Sequence, residues 1–283
     1  MIQWIQGSSD THVSRYIECY WFIEKSEGSN SYAFPKLNPD TACHLIISAP
    51  AQTYRYQVQG QDGPGEVIEG QGSHWLFPHQ QTFELDHRKP FSHLGIKFQI
   101  GALYALKQGM DQTVVLDQIE SADIASLMSG HNMKETSLIE LARQDPQACL
   151  AQLDTLLKPW LNQALEDKHS RLVNQCLSLL AHNPITTLGE SLHCSQRTLE
   201  RSFNRVTGLT LKQCQTMNKL ERLLEYLYQR DAKALDWVEI AYKFGFSDQP
   251  HLIRHLKKQL GLTPKNYAQE RGFTIDVYGG VNT

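Results

Sequence analysis

Nothing in this 283-residue chain approaches the ~20 consecutive apolar residues that a membrane-spanning helix needs; the longest apolar stretch, around Leu45 to Ala51, is far too short. The opening MIQWIQGSSD lacks a basic stretch followed by an apolar core, so no secretory signal is expected. The six cysteines, Cys19, Cys43, Cys149, Cys176, Cys194 and Cys214, form no C-x-x-C pair. That argues against a zinc ribbon or a disulfide scaffold and for reduced thiols in a cytoplasmic protein. There is no phosphate-binding loop, no G-x-S-x-G and no dinucleotide fingerprint. What is present is enough apolar material for real cores: 41% hydrophobic and 20% charged residues, in a length that fits one large or two ordinary domains.

The net charge of -3 conceals an asymmetry. Residues 1–169 hold 12 lysines and arginines against 20 carboxylates, a balance of −8, whereas residues 170–283 hold 15 against 10, a balance of +5. A basic back half behind an acidic front half points to a polyanionic partner for the C-terminal portion.

The texture of the chain divides in the same way. Tyr16 to Ile23, Ala42 to Ser48, Thr53 to Val58, Trp75 to Phe77 and His93 to Phe98 are rich in aromatic and branched residues. Turn signals such as Asn38-Pro39-Asp40 and Asp62-Gly63-Pro64-Gly65 separate them, so an antiparallel sheet, barrel-like or sandwich-like, is expected. From Gly101 helical periodicity takes over. Leu150, Leu153, Leu157, Trp160, Leu161 and Leu165 recur at helical spacing, and Pro159 within them predicts a kink or a split into two helices. The stripe is expected to pack on the sheet, with a dimer seam as the alternative.

From Ser170 the pattern is consistently helical. Leu172, Val173, Cys176, Leu177 and Leu180 make one apolar face, closed by Asn183-Pro184. A short segment from Thr187 to His193 then meets a corner at Cys194-Ser195, where Ser195 can cap a helix running from Gln196 to Val206 and ended by Gly208. A short helix, a tight corner and a second helix with a basic polar face form a helix-turn-helix unit. The design recurs after a linker from Leu211 to Gln229. Trp237 to Phe244 is a short helix with Val238, Ile240 and Ala241 inward; Gly245 makes the turn; Asp248 caps a helix beginning Gln249-Pro250-His251. In that helix Leu252, Leu256 and Leu260 are expected inward, Gly261 ends it, and residues 262–267 open a last helix.

The stretch from Ala241 to Tyr267, AYKFGFSDQPHLIRHLKKQLGLTPKNY, resembles the signature of AraC/XylS-type bacterial transcription regulators, and Ser195 to Gly208, SQRTLERSFNRVTG, is similar to that family's first motif. The likeness covers about residues 170–270. Pro250 and Ile253 depart from it where small hydroxylated residues are common, and Leu256 replaces a phenylalanine. The resemblance implies control of transcription initiation through contact with RNA polymerase. The expected fold class is α+β: a β-rich effector-binding or dimerisation domain with trailing helices (1–166), an all-α DNA-binding domain of two helix-turn-helix motifs joined by a linker helix (167–272), and a tail (273–283).

The physical expectation is two recognition helices in successive major grooves of double-stranded DNA, roughly 34 Å apart, bridged by a linker helix about 28 Å long. Gln196, Arg197, Glu200, Arg201 and Asn204 in the first unit, and Gln249, Pro250, His251, Ile253 and Arg254 in the second, are assigned to base edges. Arginine can donate twice to guanine, glutamine can pair with adenine, and Ile253 can pack on a thymine methyl. Glu200 can accept from cytosine or hold Arg197 or Arg201 in place. Arg205, Lys243, Lys257 and Lys258 are assigned to phosphates, which position without specifying.

The front half resembles, less specifically, the β-rich sensory domains joined to such regulators, through Leu37 to Ile46, LNPDTACHLI, and His93 to Leu103, HLGIKFQIGAL. That implies a small-molecule effector, a homodimer or both. By residue type, Trp21, His44, Tyr54, Tyr56, Trp75, Phe77 and Lys97 are pocket candidates, although ordinary strand core explains each of them as well. Two enzymatic alternatives are weaker. His74, His79 and Glu84 lack the close His-x-His spacing of a metal site in a small β-barrel. A repair-type methyl acceptor needs an activated thiolate, and no cysteine lies in a cationic or metal-binding motif. No cofactor, no membrane association and no catalysis are expected.

Overall fold

In the computed structural model, residues 2–28, 33–60, 63–106, 115–128, 134–228, 230 and 235–260 are described. The segment 262–267 and the tail 273–283 lie outside them, as do the side chains of Lys258 and Leu260. Among the described residues, the N-terminal region contains ten strands in two sheets. Strands β1 (Ile2–Gln6), β2 (Ile17–Lys25), β4 (His44–Ile47), β7 (His74–Leu76), β9 (Phe91–Phe98) and β10 (Ile119–Ser121) form a sheet in the order β1-β2-β9-β4-β7-β10. Strands β3 (Lys36–Leu37), β5 (Thr53–Gly60), β6 (Gly63–Gln71) and β8 (Phe83–Leu85) form a second, ordered β3-β8-β5-β6. The two sheets make a sandwich and not a closed barrel.

The first sheet is buried on both faces, and its sequence shows why. Side chains alternate across a strand, so a central strand covered twice must be apolar nearly throughout. On β2, Tyr20 and Phe22 face one core while Cys19, Trp21 and Ile23 face the other. On β9, Leu94, Ile96 and Phe98 enter the first core, leaving Phe91, His93, Gly95 and Lys97 on the face toward the sandwich interior. Gly95 is required there, because a Cβ would fall inside the Trp21 ring.

The outer face of that sheet is covered by helices. They are α1 (Ala102–Leu106), α2 (Ile124–Leu127), α3 (Glu135–Gln144) and α4 (Pro146–Leu161). Asp145 caps α4 by accepting from the Ala148 amide, and Pro146 occupies its first turn. Leu150, Leu153, Leu157 and Leu161 pack into the core with Tyr20, Phe22, Leu45 and Phe98, so the leucine stripe does lie on the sheet. Two details differ from expectation. Helix α4 runs unbroken through Pro159, since only two helical residues follow it and a single backbone bond is lost near an end that frays anyway. Leu165 lies beyond the helix, 65% exposed, with its amide donating to the Ala105 carbonyl.

The C-terminal region is helical: α5 (Lys168–Leu180), α6 (Ile185–Ser191), α7 (Gln196–Thr207), α8 (Leu211–Tyr228), α9 (Trp237–Lys243) and α10 (Gln249–Leu260). It has two cores. Val173, Cys176, Leu180, Leu188, Leu199, Phe203 and Val206 form one, around α5–α7. Leu220, Leu223, Leu224, Leu227, Ile240, Ala241, Phe246, Leu252 and Leu256 form the other, around α8–α10. Val238 was expected inward with Ile240 and Ala241 but is 64% exposed; it sits on the outer face of the short α9, where no element covers it among the described residues.

Candidate nucleic-acid interface

The two corners in the C-terminal region are built alike. At the first, the Cys194 amide donates to the Gly189 carbonyl and the His193 amide to Glu190. At the second, the Phe246 amide donates to the Ala241 carbonyl and the Gly245 amide to Tyr242, the same pattern 52 residues later. Both corners need a left-handed residue, His193 at φ 52° and Gly245 at φ 65°. At Gly189 a Cβ would come within 2.9 Å of the Cys194 carbonyl, so glycine lets α6 approach the turn.

Each corner launches a capped helix. The Thr198 amide donates to Ser195 Oγ at 3.1 Å, and the His251 amide donates to Asp248 Oδ1 at 2.7 Å. Helix α7 buries Leu199, Ser202, Phe203 and Val206 and ends at Gly208, φ 73°. Arg197, Glu200, Arg201 and Asn204 are left exposed, with Gln196 half-buried. Gln196 Nε2 donates to Glu200 Oε1 at 3.0 Å, and Gln196 Oε1 has no partner among the described residues. Glu200 thus positions Gln196, a pairing that its sequence neighbours Arg197 and Arg201 did not suggest. In α10, Leu252 and Leu256 are buried, while Pro250, His251, Arg254 and Lys257 are exposed and Gln249 and Ile253 half-buried. His251 Nδ1 lies 3.1 Å from Ser247 Oγ.

Cations flank both helices. Arg197 and Arg201 line a cleft of about 440 Å³ with Lys168, His169 and Thr198, where α5 begins beside α7. Lys168 was not singled out in the sequence; only the tertiary approach of α5 to α7 brings it there. In the second unit Lys243 Nζ sits 4.1 Å from the Tyr226 ring centre, and Lys219 Nζ sits 3.6 Å from that of Phe246. Arg205 points elsewhere: its Nε donates to Tyr104 Oη at 2.8 Å, and that hydroxyl donates to Asp167. Lys258, also assigned to phosphate, lies outside the described side chains.

The Tyr104 contact is part of a seam between the two regions. A Cβ on Gly101 would come within 2.8 Å of Val206 Cγ1, and one on Gly208 within 3.1 Å of Leu116. Further along, Thr41 Oγ1 donates to Asn218 on α8. Lys97 Nζ, 3% exposed, lies 3.1 Å from Glu18, 3.2 Å from Glu221 on α8 and 3.9 Å from Asp40. Burial would lower the Lys97 ammonium, but Asp40, Glu221 and Glu18 hold it above its ordinary value. Burial pushes the Glu221 carboxyl up to about 7, against the pull of Lys97 and with Asp40 and Glu18 adding to the rise. Trp21 Nε1 donates to His44 Nδ1 at 3.3 Å, so the proton of a neutral His44 sits on Nε2, 3.0 Å from Asp40.

Of the pocket candidates, Tyr54 and Tyr56 line a cavity of about 900 Å³ at the far end of the sandwich. Trp21, His44 and Lys97 lie at the α8 end. Trp75 stacks among Phe77, Phe98 and Trp160. The cavity also contains His87, Phe91 and His93, which the sequence did not mark: their side chains come together from β9 and the turn before it. His74 and His79 spend their ring nitrogens on protein partners, His74 on Tyr56 and the Gly72 carbonyl, His79 on the Phe77 and Asn38 carbonyls. No three His, Cys, Asp or Glu side chains gather as a metal site among the described residues. Burial pushes the thiols of Cys19, Cys149 and Cys214 up to about 12 and that of Cys176 to about 11, the reverse of an activated thiolate. No helix among the described residues is long and apolar enough to cross a membrane.

The C-terminal domain of AraT, a response regulator from Geobacillus stearothermophilus, is similar at 22% identity over 37% of this chain and 89% of that one, with a TM-score of 0.33. ToxT from Vibrio cholerae bound to (E)-4-(8-methylnaphthalen-1-yl)but-3-enoic acid is similar at 10% identity over 90% of this chain and 98% of that one, TM-score 0.46. Unsaturated fatty acid-bound ToxT from Vibrio cholerae gives 9% identity, 93% and 98% coverage and a TM-score of 0.41. No curated protein sequence matches the chain. Residues 188–270 match the helix-turn-helix domain family, a span that contains both corners and both capped helices. The C-terminal part of this chain therefore carries a helix-turn-helix domain.

Proposed function

We propose that the chain binds one specific site across two adjacent major grooves, controls transcription initiation from it through RNA polymerase, and is modulated by a small molecule held in the sheet region. The observation that carries the reading is the duplicated corner: the same hydrogen bonds recur 52 residues apart, each followed by a capped helix with an exposed polar face. Helix α8 between them spans 18 residues, about 27 Å, which matches the roughly 34 Å groove repeat once the flanking turns are added.

Modulation has a physical route. His93 and Lys97 share one face of β9, with Gly95 and the Trp21 ring between them. His93 lines the cavity; Lys97 meets Glu221 on α8. A ligand that fits the cavity better in one arrangement of β9 and Trp21 than in another would shift how α8 is held, and with it the spacing of the two recognition helices. A ligand of equal affinity for both arrangements would shift nothing.

Affinity for a site selected from genomic fragments, measured at two salt concentrations, tests the DNA reading. Preference over random DNA by ~10³ or more supports it; weak binding with steep salt dependence and no preference, for the full chain and for residues 167–283 alike, contradicts it.

A further inference from the structure

The cavity at the end of the sandwich has a neutral inner wall of rings, Tyr54, Tyr56, His87, Phe91 and His93, with the fully buried His74 packed behind it. His87 packs against Phe91 at 4.2 Å between centres, Phe91 against His93 at 5.0 Å, His93 against His74 at 6.2 Å, and His74 against Tyr54 at 3.9 Å. Tyr54 lies across Gly70, where a Cβ would collide with its hydroxyl. The tautomer of His93 follows from its neighbours. The Ser92 amide donates to Gln52 Oε1, which fixes that side-chain amide so that its Nε2 donates to His93 Nδ1 at 3.1 Å. Ser48 Oγ lies 2.7 Å from the same nitrogen. Nδ1 is therefore an acceptor, and the ring proton sits on Nε2, which has no partner among the described residues. His87, 4% exposed, has a buried Nδ1 with no partner among the described residues.

Neither imidazole can supply a charge. Burial holds His93 well below its ordinary value, with His74 and His87 adding to the effect, and burial together with Lys25 brings His87 down to about 3. At the rim, Arg55 pairs with Glu69 at 3.2 Å and Arg88 with Asp86 at 2.6 Å, so two of the three rim cations are already neutralised. A charged group pushed inside would be stripped of water and left without a counter-ion. Aromatic walls instead favour a flat partner that can stack on them, and the volume suits a body larger than a single ring.

We propose that this cavity binds an uncharged, flat compound of two or three fused rings, oriented by a hydrogen-bond acceptor on its edge that takes the Nε2–H of His93. This deepens, and rests on, the reading of the sheet region as the part that senses a small molecule.

The test is calorimetric titration of the full chain with isoquinolin-1-one and chromone, against decahydroisoquinolin-1-one (the same polar group on a puckered frame), 1-naphthoate (flat but charged) and glucose. Saturable binding of the flat uncharged pair, at least about tenfold tighter than the other three, is expected. His93→Phe keeps a ring and removes the donor, and should weaken that binding about five- to tenfold. Gly70→Ala, which displaces Tyr54 at the rim, should weaken it comparably and carries the test if His93→Phe does not fold. Tighter binding of 1-naphthoate, glucose or the puckered amide overturns the ligand class. Unchanged affinity in a folded His93→Phe overturns the orientation by His93. If none of the probes binds while the chain still selects its DNA site, the cavity proposal fails and the regulator reading stands; loss of site selection alone strikes the regulator reading instead.

Discussion

The two helix-turn-helix units share a corner and differ in what they lean on. The core of the first unit runs into the sheet region through Ile100, Tyr104 and Leu116, which pack against Phe203, Val206 and their neighbours. Among the described residues, the second unit's core is drawn from Leu220 onward. One recognition helix is thus anchored to the rest of the molecule, and the other hangs from the end of α8. Under the proposed function, an anchored reader is positioned by events in the sheet region and a free one adapts to the DNA, which puts regulation in the first unit and in the hold on α8.

The largest expected effects come from cutting each core. Phe203→Ala should cost about 3–5 kcal/mol and lower the main unfolding transition, because its core is shared with the sheet region. Leu252→Ala should cost about 2–5 kcal/mol but leave that transition in place and expose only α9 and α10 to amide exchange. Equal loss of protection across the whole chain for Leu252→Ala would erase the distinction.

Next comes the seam itself. Gly101→Ala places a Cβ against Val206 at a φ of 79° and should destabilise by about 1–3 kcal/mol, detected as a lower melting temperature and faster exchange in α7. The same substitution at Gly245, which meets nothing within 4 Å, carries only the backbone penalty. Comparable disturbance of α7 by both would refute a docked first unit.

Of similar size is the base-reading effect. Arg201→Ala should cost about 1–3 kcal/mol on the selected site and little on random DNA, whereas Lys257→Ala should weaken both alike and flatten the salt dependence. Gel-shift titrations on the two DNAs decide it; equal losses for Arg201→Ala remove its assignment to a base.

The smallest effect is titration of the hold on α8. Glu221 faces Lys97 on β9, Glu18 and Cys19 on β2 and Asp40 before β4, with Cys214 on its own helix. Its docked carboxyl is raised from 4.5 to about 7, so docking binds a proton more tightly than the undocked state does. Docking is then strongest below about 4.5 and declines as pH rises toward 7. Exchange of α8 amides, corrected for intrinsic rates, should quicken across that window, and Glu221→Gln should flatten the dependence. A pH-independent hold in the wild-type chain would contradict it.

Much of the molecule was legible in one dimension. Ser195, Gly208, Gly245 and Asp248 announced both capped helices because cap and turn chemistry is local. The strands from Thr53 and His93 were readable from branched and aromatic residues. Strands β3, β8 and β10 were not, since segments of two or three residues carry no periodicity and are held by pairing, β3 to β8, β8 to β5 and β10 to β7. The same limit hid Lys168, His87 and His93, whose neighbours arrive from elsewhere in the chain. Trp21, His44 and Lys97 were marked as a pocket by residue type, but the fold spends them on the hold over α8.

The most direct test is a hydroxyl-radical footprint of the full chain on its selected site, with Arg201→Ala and Arg254→Ala beside it. Two protected patches one helical turn apart are predicted, about 10 base pairs, with Arg201→Ala weakening one and Arg254→Ala the other. A single patch, equally weakened by both substitutions, would contradict the account of two readers on one site.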